Sequence, residues 1–196
     1  MSLAYPQQEK NGSYTYGDYL TWPPEERWEI IEGAAYRLGP APSRRHQKVV
    51  TALVGEFYSF LKGKDCEVYG APFDVRLPSG EEKDEEIKTV VQPDIAVICD
   101  KVKLDERGCK GSPDLIVEVT SPGTASIDYI KKLALYEKHG VKEYWLVHPT
   151  DEIVMVYRLG ADGKYGRPEI YARNDRVKVG LFENFYLSLE DIFTET

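Results

Sequence analysis

The sequence has few cysteines and no long apolar run, and each absence excludes a class of protein. Its three cysteines, Cys66, Cys99 and Cys109, form no CxxC pair. Such a sparse, odd count predicts a reducing compartment and no disulfide framework. No segment approaches the roughly 18 apolar residues of a transmembrane helix, and the opening MSLAYPQQEKNGSY has no apolar signal-peptide core. We therefore expect a cytoplasmic protein without a membrane span.

The sequence also has fewer basic than acidic residues. The chain has 25 Lys and Arg against 33 Asp and Glu, a net charge of -8. The global field therefore does not attract nucleic acid, and any such binding needs a local basic patch. The three histidines and three cysteines have no zinc-ligand spacing. Neither a GxxxxGK[ST] phosphate loop nor a Ser-His-Asp arrangement is indicated.

The remaining pattern predicts one domain, 1–196, in which 1–13 is loosely ordered. "RWEIIEGAAYRL" is typical of a hairpin, and Ser43 precedes a long amphipathic helix. Three strands follow, "CEVYGAPFDVRLP", "VVQPDIAVIC" and "PDLIVEVTS", with the acidic "SGEEKDEEIK" as a solvated hairpin tip. A helix opening near Ser121–Thr124 and ending at Gly140 then joins "PDLIVEVTS" to "VKEYWLVHP" by a parallel crossover.

This order of elements predicts an α/β (mixed α+β) fold. We expect a central mixed β-sheet flanked by helices, with an N-terminal hairpin extension and C-terminal strands.

An acidic residue lies inside the most apolar of these strands. In "DLIVEVTSPG", Glu118 follows three aliphatic residues, and a buried carboxylate is costly unless it is paired or binds a metal. Asp94 precedes the neighbouring strand, so the two carboxylates converge if the strands are adjacent. Mg²⁺ prefers such oxygen ligands. The alternative is that each acid is ion-paired, capping or solvent-facing.

Longer motifs give this pair a context. "QPDIAVI" and "GSPDLIVEVTSPGTASIDYIKKLALYEKHGVKEYWLVHP", together with "WEIIEGAAYRL", "RRHQKVV" and "APFDVRLP", closely resemble the Uma2 family (DUF820) over roughly residues 14–160. The resemblance implies a restriction-endonuclease-like core of the PD-(D/E)xK superfamily. It also implies that Asp94, Glu118 and the backbone carbonyl of Val119 bind Mg²⁺ (or Mn²⁺).

The superfamily lysine is absent from its usual place, because Thr120 stands two residues after Glu118. The resemblance moves this catalytic role to Lys132 on the next helix, where helical spacing aligns it with Asp128 and Tyr136. The alternative is a surface Asp128–Lys132 ion pair. Lys132 also lies away from Ile130 and Ala134 on a helical wheel, which favours Lys131 if the helix is rotated.

Several accessory residues are suggested, some by the resemblance and others by their place in the sequence. Asp74 is either a third acid of the site or a partner of Arg76, and Glu29 or Glu32 supplies an N-terminal acid, although Glu32 also suits a turn. His46 contacts phosphate or water, or is a surface histidine hydrogen-bonded at the helix end. The basic cluster of the long helix, Arg44, Arg45 and Lys48, either contacts the DNA backbone or is an ordinary basic surface at the start of a helix.

These features lead to a hypothesis of a Mg²⁺-dependent endonuclease acting on DNA through a metal-activated water. Two alternatives are an inactive nuclease-derived binding or assembly module and a metal-dependent phosphoesterase acting on another substrate. The resemblance also implies a homodimer. Phe182, Phe185 and Tyr186 either cover its contact or seal the monomer core, and His148 is interpreted as structural.

Overall fold

The structure, a computed structural model, describes residues 13–121 and 127–194. The segment predicted to be loosely ordered, 1–13, lies outside these residues except for Ser13, as does the predicted helix start at Ser121–Thr124 except for Ser121. Among the described residues, no helix is long and apolar enough to cross a membrane.

Four α-helices lie within the described residues, and one of them continues a π-helical turn. They are α1 Tyr16–Tyr19, α2 Arg44–Leu61, α3 Leu133–Lys138, which extends the π-helical turn Ile127–Lys132, and α4 Leu189–Ile192. The strands of the same residues are β1 Trp28–Ile31, β2 Ala34–Arg37, β3 Glu67–Gly70, β4 Val75–Arg76, β5 Val90–Val91, β6 Ile95–Ile98, β7 Leu104–Asp105, β8 Gly108–Lys110, β9 Leu115–Val119, β10 Glu143–His148, β11 Ile153–Arg158, β12 Glu169–Ala172, β13 Arg176–Lys178 and β14 Tyr186–Ser188.

The strands form two large mixed sheets and a small ribbon. The first sheet has the order β2-β1-β5-β4-β8-β7 and the second β12-β11-β10-β9-β6-β3, while β13 pairs with β14. In the second sheet β9 and β10 are parallel, and the neighbours of this pair run antiparallel to it. The predicted parallel crossover is therefore confirmed, and so is the mixed sheet flanked by helices.

The side chains of β9 alternate between two hydrophobic layers. Leu115, Val117 and Val119 pack with the α2 side chains Val49, Leu53 and Phe57 in one core. Ile116 points to the opposite face, where α3 and the first sheet pack in a second core. Glu118 shares the face of Ile116 because successive strand residues point in opposite directions. Its carboxylate is thus enclosed between the two sheets.

Two segments predicted as single strands are each divided between the sheets. "VVQPDIAVIC" forms β5 in the first sheet and β6 in the second, with Gln92 and Pro93 between them. "CEVYGAPFDVRLP" forms β3 and β4, separated at the cis Ala71–Pro72 bond. Proline supplies no N–H to a strand ladder. Each of the two segments therefore leaves one sheet at its proline. Asp94 therefore lies where the chain passes from one sheet to the other.

The acidic segment "SGEEKDEEIK" is more than a solvated tip. It contains the 3₁₀ turn Asp84–Glu86, and Asp84 Oδ2 accepts a 2.6 Å hydrogen bond from the fully buried Arg76. Asp105 Oδ1 accepts a second 2.6 Å bond from the same guanidinium. Arg76 is thus partnered by these two acids, and a buried arginine at this position requires both of them.

The prediction that the cysteines form no disulfide is wrong. Cys66 and Cys99 are bonded, with their Cα atoms 3.9 Å apart, while Cys109 is free and buried. The cause is the strand register: Glu67 pairs with Ile98, so that Cys66 and Cys99 face each other one step beyond the end of this antiparallel pair. The cysteine count consequently gives no support to the predicted cytoplasmic location.

Candidate active site

Glu118 is held by two side chains of the helical segment that follows β9. Its Oε1 accepts a 2.9 Å hydrogen bond from Lys132 Nζ and another, also 2.9 Å, from Tyr136 OH. All three residues are buried. Its other oxygen, Oε2, forms no hydrogen bond with the described residues. The strand acid is therefore fixed on one side and open to a further ligand on the other.

Lys132 is the cation at the centre of this cluster. Its Nζ lies 2.9 Å from Glu29 Oε1, 2.9 Å from Glu118 Oε1 and 3.9 Å from Asp128 Oδ1. The helical wheel predicts that Lys132 lies away from an apolar face marked by Ile130, but Ile130 is 70% exposed. The polar stripe of the helix faces inward instead. Lys131, the substitute considered for this role, is exposed and donates to Tyr36 OH at 2.5 Å.

The cluster carries more negative than positive charge. Burial raises the pKa of Glu118 well above its usual range, and the charges of Asp128, Asp94 and Glu29 raise it further, whereas Lys132 opposes the shift. Burial disfavours the charged form of Lys132, but the surrounding carboxylates outweigh it and raise the pKa of the ammonium. The carboxylates therefore favour the charged form of Lys132, and a further cation beside Glu118 would likewise favour its ionised form.

Asp94 lies beside this cluster at the start of β6. Ile95 pairs with Val117 at the last step of the β6–β9 ladder, so Asp94 emerges next to Glu118 and Val119. Its Oδ2 accepts a 2.8 Å hydrogen bond from the backbone N–H of Val119. The two predicted metal-binding acids are thus brought to the same end of the central strands.

His46 reaches Asp94 from the opposite layer, on the first turn of α2. Its Nε2 lies 3.3 Å from Asp94 Oδ2. Burial lowers the pKa of His46, but the hydrogen bond and charge of Asp94, together with a backbone bond to Val119, give a net upward shift. Because an acceptor is what favours the protonated ring, the Val119 contact is made by its carbonyl oxygen. His46 therefore faces two of the three predicted metal ligands.

The two candidate N-terminal acids have different surroundings. Glu29 Oε1 accepts from Lys132 Nζ and, at 2.8 Å, from the backbone N–H of Gln92. Glu32 occupies the β1–β2 turn with a φ of 49° and pairs with Lys138 at the surface, 2.6 Å away. The structure thus brings Glu29 into the cluster and leaves Glu32 outside it.

Asp74 is connected to the cluster through Gln92. Asp74 Oδ1 accepts from Gln92 Nε2 at 2.8 Å and from Tyr19 OH at 3.1 Å, rather than pairing with Arg76. The side-chain oxygen Oε1 of Gln92 in turn accepts two hydrogen bonds from the Arg27 guanidinium, at 3.0 and 2.8 Å. Gln92 is therefore held on all sides just two residues before Asp94, and Asp74 helps to fix the chain that carries that acid.

The predicted DNA-binding residues line an open cleft of about 640 Å³ beside the start of α2. Arg44, Arg45 and Lys48 form one wall, and Pro149 and Thr150, which follow β10, form part of another. Lys48 also donates to the Thr194 carbonyl at 2.7 Å. His46 lies between Arg45 and Lys48 in the chain and contacts Asp94, but neither His46 nor Asp94 lines this basic cleft.

A second polar group, which the sequence interpretation missed, continues the face of Glu118 toward the strand ends. Thr120 Oγ1 lies 3.0 Å from His148 Nδ1, and His148 Nε2 lies 2.5 Å from Tyr129 OH. Strand alternation could have indicated Thr120, which lies two residues from Glu118 and so on the same face. His148 joins it because β10 is the parallel neighbour of β9. Burial lowers the pKa of His148.

The donor atoms around Asp94 are suited to a divalent cation that keeps several waters. In the described parts of the chain, no three His, Cys, Asp or Glu side chains converge as a preformed metal site. Asp94, the Val119 carbonyl and the open oxygen of Glu118 nevertheless offer oxygen ligands next to a carboxylate-rich cluster. Few protein ligands of this kind suit Mg²⁺ or Mn²⁺.

Two mixed sheets with acids gathered at the ends of the central strands define a restriction-endonuclease-like fold. A "putative nuclease belonging to DUF820" from Anabaena variabilis has a similar structure, with a TM-score of 0.72 and 23% sequence identity, covering 92% of this chain and 97% of that one. An uncharacterized Synechocystis protein, slr1290, is 27% identical over 151 residues, which are 76% of this chain and 75% of the relative.

The family follows from a match that spans most of the sequence. The model of the Uma2 family, described as "Putative restriction endonuclease", matches residues 16–190. The chain therefore belongs to the Uma2 family, as its motifs predicted.

Proposed function

We propose that this protein is a divalent-metal-dependent nuclease that hydrolyses phosphodiester bonds of DNA. Its family and fold support a nuclease, and one observation supports catalysis by this chain. The strand lacks the superfamily lysine, yet Lys132 brings an ammonium from the helix to within 2.9 Å of Glu118. A carboxylate–lysine pair is thus present where the strand sequence alone lacks one.

Each residue of the cluster has a distinct role in this proposal. Asp94, Glu118 and the Val119 carbonyl would hold Mg²⁺ or Mn²⁺. The bound cation would activate a water molecule and stabilise negative charge on the phosphate. Lys132 keeps Glu118 oriented and adds a fixed positive charge next to the developing negative charge. Glu29 and Asp128 keep Lys132 charged.

The basic cleft supports DNA as the substrate. Arg44 and Arg45 are exposed at the first turn of α2, where backbone N–H groups also favour anions. Phosphates bound by these residues would lie next to Asp94, because His46 on the same helical turn contacts that acid. The cleft would therefore position a phosphate adjacent to the one that is cleaved.

We further propose that the protein forms a homodimer, as the family resemblance implies. Of the aromatic residues predicted at its contact, Tyr186 is 46% exposed and is available to a partner. Phe185 is buried and stacks on Phe60 at 4.0 Å, so it seals the monomer core instead. Light scattering of the purified protein would measure the mass directly, and a monomer at all concentrations would contradict this proposal.

Nuclease activity is tested by incubating supercoiled plasmid with the protein and Mg²⁺ or Mn²⁺, and repeating the reaction with a chelator. We expect nicking or linearisation that Asp94→Asn or Glu118→Gln lowers by about two orders of magnitude or more, because each removes a metal-binding charge. Glu56→Gln, on the exposed face of α2, is the matched control and should cleave normally.

The same assay separates the alternative functions. Parallel reactions with RNA and with small phosphodiesters would reveal a phosphoesterase of different substrate range. Binding of DNA without cleavage of any substrate, in the presence of either ion, would favour the inactive module. Cleavage that persists unchanged in the Asp94→Asn/Glu118→Gln double variant would contradict the assigned site.

A further inference from the structure

The imidazole of His46 occupies an unusual position for a histidine at the start of a helix. Only 7% of the residue is exposed. Ser43 caps α2 through a 3.2 Å bond from the His46 backbone N–H, and Val49 fixes the rotation of the helix by packing in the core. The ring is therefore held rigidly against Asp94 rather than free at the surface.

The distance between this ring and Asp94 can be compared with that of an ion pair and with that of two ligands of one cation. A charge-assisted N–H···O⁻ bond is usually about 2.7–2.9 Å long, whereas Nε2 and Asp94 Oδ2 are 3.3 Å apart. Two ligands that each lie about 2.1 Å from an octahedral cation, at a right angle, are about 3.0 Å apart. Nε2 and Oδ2 are therefore close enough for the ring and the carboxylate to bind one cation as neighbouring ligands.

We propose that His46 is a direct metal ligand together with Asp94 and the Val119 carbonyl, and that its nitrogen makes the site prefer a first-row transition-metal dication over Mg²⁺. This inference rests on the proposed metal-dependent nuclease and concerns which ion that site selects. Imidazole binds transition metals well and is a poor ligand for Mg²⁺, which prefers oxygen. An all-oxygen site of Asp94 and Glu118 would lack this preference.

The surroundings of the ring also predict how tightly the ion is held. His46 Nδ1 is buried and forms no hydrogen bond with the described residues. Metal-binding histidines usually donate this second N–H, and loss of that support weakens affinity by about 10–100-fold. We therefore expect an exchangeable ion, selected by ligand type rather than by very tight binding.

Calorimetry of the full-length protein tests this inference without relying on cleavage. Mg²⁺, Mn²⁺ and Co²⁺ are titrated at alkaline pH into wild type, His46→Gln and the control His139→Gln, which changes a histidine at the end of α3. We expect wild type and the control to bind Co²⁺ and Mn²⁺ at least about tenfold more tightly than Mg²⁺. His46→Gln should lose this difference, since its amide offers oxygen in place of nitrogen.

The visible spectrum of Co²⁺ bound to wild type provides a second measurement that needs no variant. Bands typical of mixed nitrogen and oxygen ligands support the inference, and an all-oxygen spectrum overturns it. If all three ions bind with the same affinities to wild type and to folded His46→Gln, His46 is not a ligand, while the nuclease proposal stands. If wild type binds none of the ions, the metal-dependent nuclease fails together with this inference.

Discussion

Lys132 illustrates how a single side chain can hold buried charges together. Its ammonium contacts carboxylates from β1, from β9 and from its own helix, and its side chain is only 6% exposed. Burying several ionisable groups together is costly, and their attraction to the ammonium offsets this cost only while the lysine is present. The residue therefore affects stability as well as the proposed chemistry.

We predict that Lys132→Met lowers the free energy of unfolding by about 3–5 kcal/mol, because it leaves buried carboxylates without a counter-ion. Urea denaturation followed by circular dichroism measures the change. Lys131→Met is the matched control: this exposed lysine contacts only the Tyr36 ring and hydroxyl among the interactions described, so its loss should cost less than about 1 kcal/mol.

The loss of unfolding free energy in Lys132→Met should also depend on pH. The folded protein raises the pKa of Glu118 above its ordinary value of 4.5, so the folded state binds this proton more tightly than the unfolded state does. The favourable contribution of the protonated form is complete below pH 4.5 and is lost as the pH rises through the raised pKa. We expect the variant to approach wild-type stability on acidification, and a deficit that is constant with pH would contradict this assignment.

At the scale of elements, β8 depends on a close approach to the chain that carries Asp74. Gly108, in this strand, has a φ of 116°, and a Cβ at this position would lie 2.2 Å from the Asp74 carbonyl oxygen. The next residue, Cys109, donates its N–H to the same oxygen at 2.9 Å. Only glycine satisfies both the backbone conformation and this contact.

Gly108→Ala should therefore destabilise the protein by more than the approximately 1–3 kcal/mol of backbone strain alone. Gly163 is the control, because its φ of 74° is also positive but no atom lies within 4 Å of the Cβ that alanine would add there. Gly163→Ala should cost only about 1–2 kcal/mol. Thermal unfolding of both variants separates the effect of backbone strain, which both share, from that of the steric clash, which only Gly108→Ala has. Equal losses of stability would show that β8 can move away from the Asp74 carbonyl.

Periodicity predicted those elements whose packing follows a single pattern. The α2 stripe Val49, Leu53 and Phe57 and the aliphatic run of β9 are both observed as expected. The division of "VVQPDIAVIC" was not predicted, since two sheets share one apolar core and both halves are equally hydrophobic. Periodicity identifies a buried strand, but it does not say to which sheet the strand belongs.

The residues of the candidate active site could be predicted only where they are part of the family motif. Asp94, Glu118 and Lys132 come together, but choosing Glu29 over Glu32 required the side-chain alternation of β1. The inward direction of Lys132 was hidden because Ile130, an apolar residue, is exposed on the π-helical turn. Strand alternation places Thr120 on the face of Glu118, but its contact with His148 depends on the parallel register of β9 and β10, which the sequence does not specify.

For the whole molecule, the net charge of -8 opposes association with DNA. The basic residues that line the cleft are confined to the first turns of α2 and lie at one end of the central strands. Attraction is therefore local, and only a few phosphates should be neutralised. This arrangement favours weak, strongly oriented binding over attraction along the whole surface.

We predict that Arg44→Gln/Arg45→Gln weakens DNA binding and reduces the salt dependence of the binding constant. Each lost phosphate contact should flatten the slope of log K against log salt by about 0.9. Fluorescence anisotropy with a labelled duplex in a chelator measures the slope without cleavage. Lys62→Gln/Lys64→Gln removes the same charge just after the other end of α2 and should leave it nearly unchanged.

Lys132 contacts Glu29 of the first sheet and Glu118 of the second, so the proposed catalytic centre also connects the two sheets. Any opening that separates the layers would dismantle the centre at the same moment, before the rest of the chain unfolds. Inactivation by heat should then coincide with exposure of this seam to solvent exchange, and the protein would have no partly open form that still cuts.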